Sequence, residues 1–333
     1  MASGEMGLFR NIQGQDAALK ILGRALREKK LASAYLFEGP SGVGKERAAL
    51  ELAREVISQG DPKIVERLER GTHPDLRIFR PRDEGARNLP VEIFREEILP
   101  IVQFAPFEAK ATFLIFPDAD LSFPDNHPEA ANAFLKTLEE PPPSVHFILL
   151  ASRPDRLLDT TRSRCQRVRF APLEPRILHQ VLRRENITDE AIRSSAIALA
   201  GGRADRALEL ARGSRVEELF DLALSIDRAA SERKPGARLD RADALRTASD
   251  PQLALEALAI FYRDFVQLLA GRGADALSFS HREAELRARA RQLSLESAAE
   301  AEAVVRRAIQ RLERGANAQI ATESLVFELA RAR

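Results

Sequence analysis

The chain has 333 residues, long enough for two or three domains with separate cores. Lys+Arg total 51 against 50 Asp+Glu, so the whole-molecule field neither selects nor rejects nucleic acid, and any basic surface has to be local. The single cysteine, Cys165, excludes an internal disulfide and a cysteine-based zinc site, and no apolar run approaches a membrane span. The start, Met1-Ala-Ser-Gly-Glu-Met-Gly, lacks a charged-then-apolar signal pattern, so a soluble protein of the cytoplasm is expected, with no membrane partner. Abundant Leu, Ala, Arg and Glu without Trp favour a helix-rich architecture.

In chain order, Gln15 to Lys29 carries Ala18, Ile21, Leu22 and Leu26 at helical spacing. An apolar run, Tyr35 to Phe37, ends in Gly39-Pro40-Ser41-Gly42-Val43-Gly44-Lys45-Glu46, and a helical pattern follows at once. Ser58 to Thr72 is charged and shows no β alternation. His73-Pro-Asp-Leu-Arg-Ile-Phe reads as a short strand, Val91 to Phe104 as a helix, and Thr112 to Phe116 as a buried strand that stops at Pro117-Asp118. A helix from Ala130 to Glu139 is halted by Pro141-Pro-Pro143; Val145 to Leu150 and Val168 to Phe170 are further strands. Strands of nearly continuous apolar character alternating with helices predict a parallel sheet covered on both faces.

Beyond Ala171-Pro-Leu the pattern becomes helical. Short helices are expected over Pro175–Arg184, Thr188–Leu199 and Asp205–Arg212, then longer ones over Val216–Ala230, Gln252–Leu269, Ser280–Leu293, Ser297–Arg314 and Ala318–Arg331. Ser231-Glu-Arg-Lys-Pro-Gly-Ala reads as a polar connector. Three parts are expected: an α/β P-loop core over 1–172, a small helical lid over 173–213, and an all-α domain over 214–333.

The glycine segment has the strand, loop and helix order of a P-loop, with a plain Gly-rich turn as the alternative. Its backbone N–H groups curl around phosphate oxygens, the helix N-terminus adds positive potential, and Lys45 supplies a mobile charge. Glu46, however, stands where Ser or Thr would hold Mg²⁺, and it aims negative charge at the phosphates. Hydrolysis also needs an acid at the end of a neighbouring strand. There Pro117 takes the first acidic place and Asp118 the second, unless Asp118 simply starts a turn. The five histidines (His73, His127, His146, His179, His281) have no metal spacing, and no Ser/His/Asp arrangement is evident. Arg-rich stretches over 287–291 and 306–314 are interleaved with Glu283, Glu285, Glu302 and Glu313, as on solvated helix faces.

Three segments together resemble the clamp-loader branch of the AAA+ ATPases: Gly39 to Lys45, Asn132-Ala-Phe-Leu-Lys-Thr-Leu-Glu-Glu140-Pro-Pro-Pro143, and Thr161-Arg-Ser-Arg-Cys165. Within that branch, His73-Pro-Asp75, Pro117-Asp118, Phe261-Tyr-Arg-Asp264 and Asn317-Ala-Gln-Ile-Ala-Thr-Glu-Ser-Leu are similar to the delta-prime family of bacterial DNA polymerase III. The resemblance spans most of the chain and thins across its helical end. It implies a core, a lid and a collar domain that joins a pentameric ring during DNA replication. Partners would be gamma/tau-type and delta-type subunits, the sliding clamp, and primer-template DNA through the assembled complex.

It also implies roles for single residues. Arg164, in Ser163-Arg164-Cys165, would be an arginine finger completing a neighbour's ATP site; without the family it reads as a surface-loop arginine. Arg206 would reach a bound nucleotide's phosphates, or else be a solvated helix charge. Weak ATP or ADP binding and little ATPase are expected, since Glu46 and Pro117 depart from the hydrolysing pattern. Many relatives carry four zinc-ligating cysteines where Ser58 to His73 has none, so no zinc is expected and a metal-free helix could replace the module. Ser152 and Arg153 stand where γ-phosphate sensors are expected. The rivals are a hydrolysing gamma/tau-type motor and, from another class, a free-standing P-loop kinase or transferase.

Overall fold

A computed structural model describes residue 9 and residues 12–80, 89–123, 129–232 and 234–332. Of the residues singled out above, His127 lies outside the described residues. The chain forms two compact units that divide between Glu174 and Pro175.

The first unit is built on five parallel strands in the order β2-β3-β4-β1-β5. They are β1 (Ala34–Glu38), β2 (Leu76–Ile78), β3 (Thr112–Phe116), β4 (Val145–Ala151) and β5 (Gln166–Arg169). Every residue of β1, β3 and β4 is buried, as central strands of a doubly covered parallel sheet require. Tyr35 lies opposite Ile148 on one side and Gln166 on the other, which fixes the register that brings the β1 end beside the β4 end.

Side chains alternate between the faces. Tyr35, Phe37, Phe113, Ile115 and Ile148 pack with Leu22 of α1 (Asp16–Arg27) and Ala48 and Leu52 of α2 (Lys45–Ser58). Leu36, Leu114, Phe116, Phe147 and Leu149 pack with Phe134 and Leu138 of the helix Glu129–Glu139. Phe134 is the hub of this face, with Phe94, Phe116, Phe123 and Phe147 at ring-centroid distances of 5.4, 5.7, 5.5 and 5.0 Å. Truncating such a ring costs roughly 3–5 kcal/mol.

Two local features refine the expectations. The helix over 91–103 contains a π turn, Phe94–Ile98, between α-helical Val91–Ile93 and Leu99–Gln103. Pro100 explains it, because proline lacks the N–H for an i to i−4 bond and its ring crowds the carbonyl of Glu96. The interval 58–73 holds α3 (Pro62–Glu69), started by Asp61, whose side chain accepts from Lys63 N at 2.9 Å.

The second unit is helical. Pro175–Arg184, Glu190–Ala200 and Ala204–Arg212 are followed by Arg215–Ser231, Pro235–Arg246, Pro251–Leu269, Glu283–Ala290, Leu295–Glu313 and Ala318–Arg331. Ala196, Leu199 and Leu210 share one apolar cluster with Phe220, Leu258 and Phe261, so both groups of helices draw on a common core. Helix Pro235–Arg246 takes in the last three residues of the expected connector and the stretch after it; it leaves little trace in the sequence because it buries only Ala242 and Leu245 and shows no apolar stripe. The helix expected from Ser280 begins instead with a 3-10 turn, Ser280–Arg282. Buried Asp264 holds the segment entering that turn, accepting from Ser278 N at 3.0 Å and Phe279 N at 2.8 Å. Among the described residues, no helix is long and apolar enough to cross a membrane.

Candidate nucleotide cradle and arginine loop

The loop between β1 and α2 takes a shape that its glycines permit. Gly44 has φ +100° at the start of α2, and a Cβ on Gly39 would lie 2.1 Å from the Phe170 carbonyl oxygen. Gly39 N donates to Ala151 O at 3.1 Å, which ties the loop to the end of β4. Lys45 is 7 % exposed and folds across the loop, with Nζ donating to Gly39 O at 2.5 Å and Pro40 O at 2.6 Å, and 3.5 Å from Ser152 Oγ. Pro40, Ser41, Gly42 and Val43 complete the turn. A buried amine at the mouth of a glycine loop, at a helix N-terminus, is a donor set suited to a di- or triphosphate.

Glu46 does not simply oppose phosphate. Its carboxylate pairs with Arg80, just past β2, so the repulsion expected from the sequence is largely neutralised within the protein. No hydroxyl stands at this position to hold Mg²⁺. At the end of β3, Pro117 is buried and Asp118 is exposed in a left-handed conformation (φ 52°) that starts the turn Ala119–Ser122. The carboxylate built into the site is Asp120, two residues on. It is 4 % exposed and accepts from Ser152 N at 3.2 Å and Arg153 N at 2.9 Å. Asp120 thus fixes the backbone of the expected phosphate-sensing pair, a role the spacing alone did not assign.

Gln15 was also missed as a site residue. Its amide donates to Val43 O at 3.1 Å and Ala171 O at 2.8 Å and accepts from Ala171 N at 3.0 Å, stapling the P-loop to the segment after β5. A lone glutamine before an amphipathic helix carries no such signal in sequence.

Arg164 follows the short helix Asp159–Ser163 and is exposed. Nη1 donates to Thr160 O at 2.9 Å and Nη2 to Glu139 Oε1 at 2.5 Å. Its neighbour Cys165 is buried among apolar side chains, and burial pushes the thiol up to about 12. Arg206 lies in the second unit, where its guanidinium sits 2.9 Å from Glu256 and 4.0 Å from Asp250. Its side chain is 11 % exposed, so it is neither a solvated helix charge nor a donor aimed at open solvent.

Asp75, of the His73-Pro-Asp75 step, is fully buried. It accepts from Phe107 N at 2.7 Å and from Glu108 N and Ala109 N, both at 2.9 Å. Burial pushes its carboxyl up, but these N–H groups and His73 outweigh it and hold the group below the usual carboxylate range. The step therefore anchors the loop before β3. In the second unit the Arg-rich faces are paired in place: Arg287 with Glu283, Arg306 with Glu302, Arg307 with Glu300, Arg311 with Glu328. Among the described residues no group of His, Cys, Asp and Glu could hold a metal ion.

Residues 14–174 match the family model described as DNA polymerase III, delta subunit. The chain is 28% identical to DNA polymerase III subunit delta' of Bacillus subtilis over 326 residues, covering 95% of this chain and 96% of that one. It is 34% identical to DNA polymerase III subunit tau of the same organism over 170 residues, 49% of this chain and 29% of that one. A solved structure from Thermotoga maritima, of a protein related to the DNA polymerase III gamma subunit, aligns over 96% of this chain and all of that one. Its TM-score is 0.45 and its identity 16%.

Proposed function

The chain belongs to the clamp-loader family of DNA polymerase III, and we propose that within it this protein is the delta-prime-type member. It is a stator of the pentameric ring that places the sliding clamp on primed DNA. It binds ATP or ADP weakly, hydrolyses little or none itself, and lends Arg164 to the ATP site of a neighbouring subunit. The observation that carries this reading is a split within one core. The phosphate cradle is intact, yet Glu46 and Pro117 stand at two positions that order the metal in hydrolysing relatives, while Arg164 is presented on an exposed loop. A guanidinium matches the oxygens of a transferring phosphoryl group, so such an arginine can act in trans while the chain's own site stays idle.

Lys45 and the N–H groups of Gly42 to Lys45 would hold the phosphates of a nucleotide at this loop. Asp120 keeps the Ser152-Arg153 backbone in place, and Gln15 restrains the loop. Arg206, paired with Glu256, would have to give up that carboxylate before binding phosphate. The chain works in the cytoplasm, with gamma/tau-type and delta-type subunits as direct partners and primer-template DNA met through the assembly. In this role the core runs over 1–172, the lid over 173–213 and the collar over 214–333.

The likeness to tau supports a second reading, a hydrolysing motor subunit, but it covers half of this chain, whereas the likeness to delta' runs nearly end to end. Mixing the purified chain with gamma/tau-type and delta-type subunits and measuring the mass of the assembly decides between them. One copy per ring supports the stator; several copies per ring support the motor.

A further inference from the structure

We propose that Glu139 is a latch on Arg164, holding the guanidinium in the free subunit and yielding it to a neighbour's nucleotide phosphates on assembly. The inference rests on the trans-acting reading of Arg164 and adds a positioning residue to it. Arg164 Nη2 donates to Glu139 Oε1 at 2.5 Å, while Nη1 donates to Thr160 O at 2.9 Å. The two anchors come from different elements, the last residue of the helix Glu129–Glu139 and the short helix Asp159–Ser163. Arg162, on the short helix itself, takes its own partner, Asp159, so Glu139 is matched to Arg164.

The position of Glu139 is itself informative. A carboxylate in the last turn of a helix faces the negative end of the helix dipole, and a cation is needed to offset it. Lys136 supplies one from the same turn, and Arg164 is the cation that pairs directly with the Glu139 carboxylate. While the pair is closed its net charge is near zero and its field at a neighbouring phosphate is small. Glu139 and a phosphoryl group also compete for the same N–H donors, and the phosphates bring more charge and more acceptor oxygens. The side chains are 33 % and 50 % exposed, so the latch is weak enough to open. An ion pair this exposed shifts an equilibrium only about 1.4- to 5-fold.

Two readouts test the latch. On the free chain, Glu139→Gln should speed modification of Arg164 by phenylglyoxal about 1.4- to 5-fold, read from the peptide mass, because the guanidine edge that the carboxylate occupies is released to the reagent. In a loader reconstituted with gamma/tau-type and delta-type subunits, Glu139→Gln should lower the ATP concentration for half-maximal turnover by a similar factor. The gain should vanish in the Glu139→Gln/Arg164→Ala double variant, and Glu139→Ala should behave as Glu139→Gln does. Unchanged modification of Arg164 overturns the latch. So does a loader in which Arg164→Ala slows turnover while Glu139→Gln leaves it unchanged or impaired, and there the trans-acting arginine survives. If Arg164→Ala is silent while modification still rises, the trans-acting reading fails and the handover to phosphate fails with it.

Discussion

Lys45 is the residue on which the proposed nucleotide binding turns. It bridges two carbonyls of the loop from a buried position, so it is already placed where a phosphate would meet it. A charge-assisted contact contributes roughly 1.5–3 kcal/mol, so Lys45→Ala should weaken ADP or ATP binding by about tenfold or more. Calorimetry at millimolar nucleotide checks this, and equal heats for both proteins would show that the cradle does not engage phosphate. Asp75 permits a pH prediction. Its folded carboxyl lies below the ordinary range, so the stability it adds is present above the unfolded pKa of about 3.9 and is lost as pH falls through the folded value. Asp75→Asn should destabilise the first unit at neutral pH by about 1.5–3 kcal/mol and should flatten its acid limb. Denaturant melts from neutral to acid pH measure both effects.

The glycines and Lys45 were legible because their chemistry is local and their spacing fixed. Arg80, Asp120 and Gln15 were not, since each acts through a partner at least 28 residues away in sequence. The apparent repulsion at Glu46 was read correctly as a charge and incompletely as a site, because nothing nearby in sequence marks Arg80 as its partner.

Among the elements, the strands were the easiest to read, since β1, β3 and β4 are short, largely apolar runs, the first two stopped at once by Gly39 and Pro117. The strong helices were legible for their period. Pro235–Arg246 was not, because a helix that buries two side chains leaves almost no periodic trace. α3 stands in the interval 58–73, which carries no cysteine, and its start is explained by Asp61 and Pro62 alone. Metal analysis of the purified protein should therefore return well under one zinc per chain; a stoichiometric value would contradict this account of 58–73. The helical elements also say where the chain can be cut. A fragment ending at Glu174 keeps both faces of the sheet covered and should melt cooperatively. One ending at Gly213 leaves Leu199 and Leu210 without Phe220 and Leu258, and should expose apolar surface and aggregate. Calorimetry and light scattering of the two fragments separate these outcomes. Neither fragment should enter the loader as the full chain does if the helices from Val216 onward form the collar.

For the whole molecule, the proposed division of labour leaves nucleotide chemistry to the neighbours and positioning to this chain. The isolated protein should therefore turn over ATP negligibly, because phosphoryl transfer depends on the metal-ordering groups that Glu46 and Pro117 replace. Within the loader its proposed contribution is Arg164. The most direct test is the ATPase rate of a reconstituted loader carrying Arg164→Ala in this subunit alone. An arginine finger is worth about 10³–10⁵ in rate at its own site. The assembly should form normally and its total rate should fall by the share of that single site, since other sites keep their own arginines. An assembled loader with an unchanged rate would contradict the account.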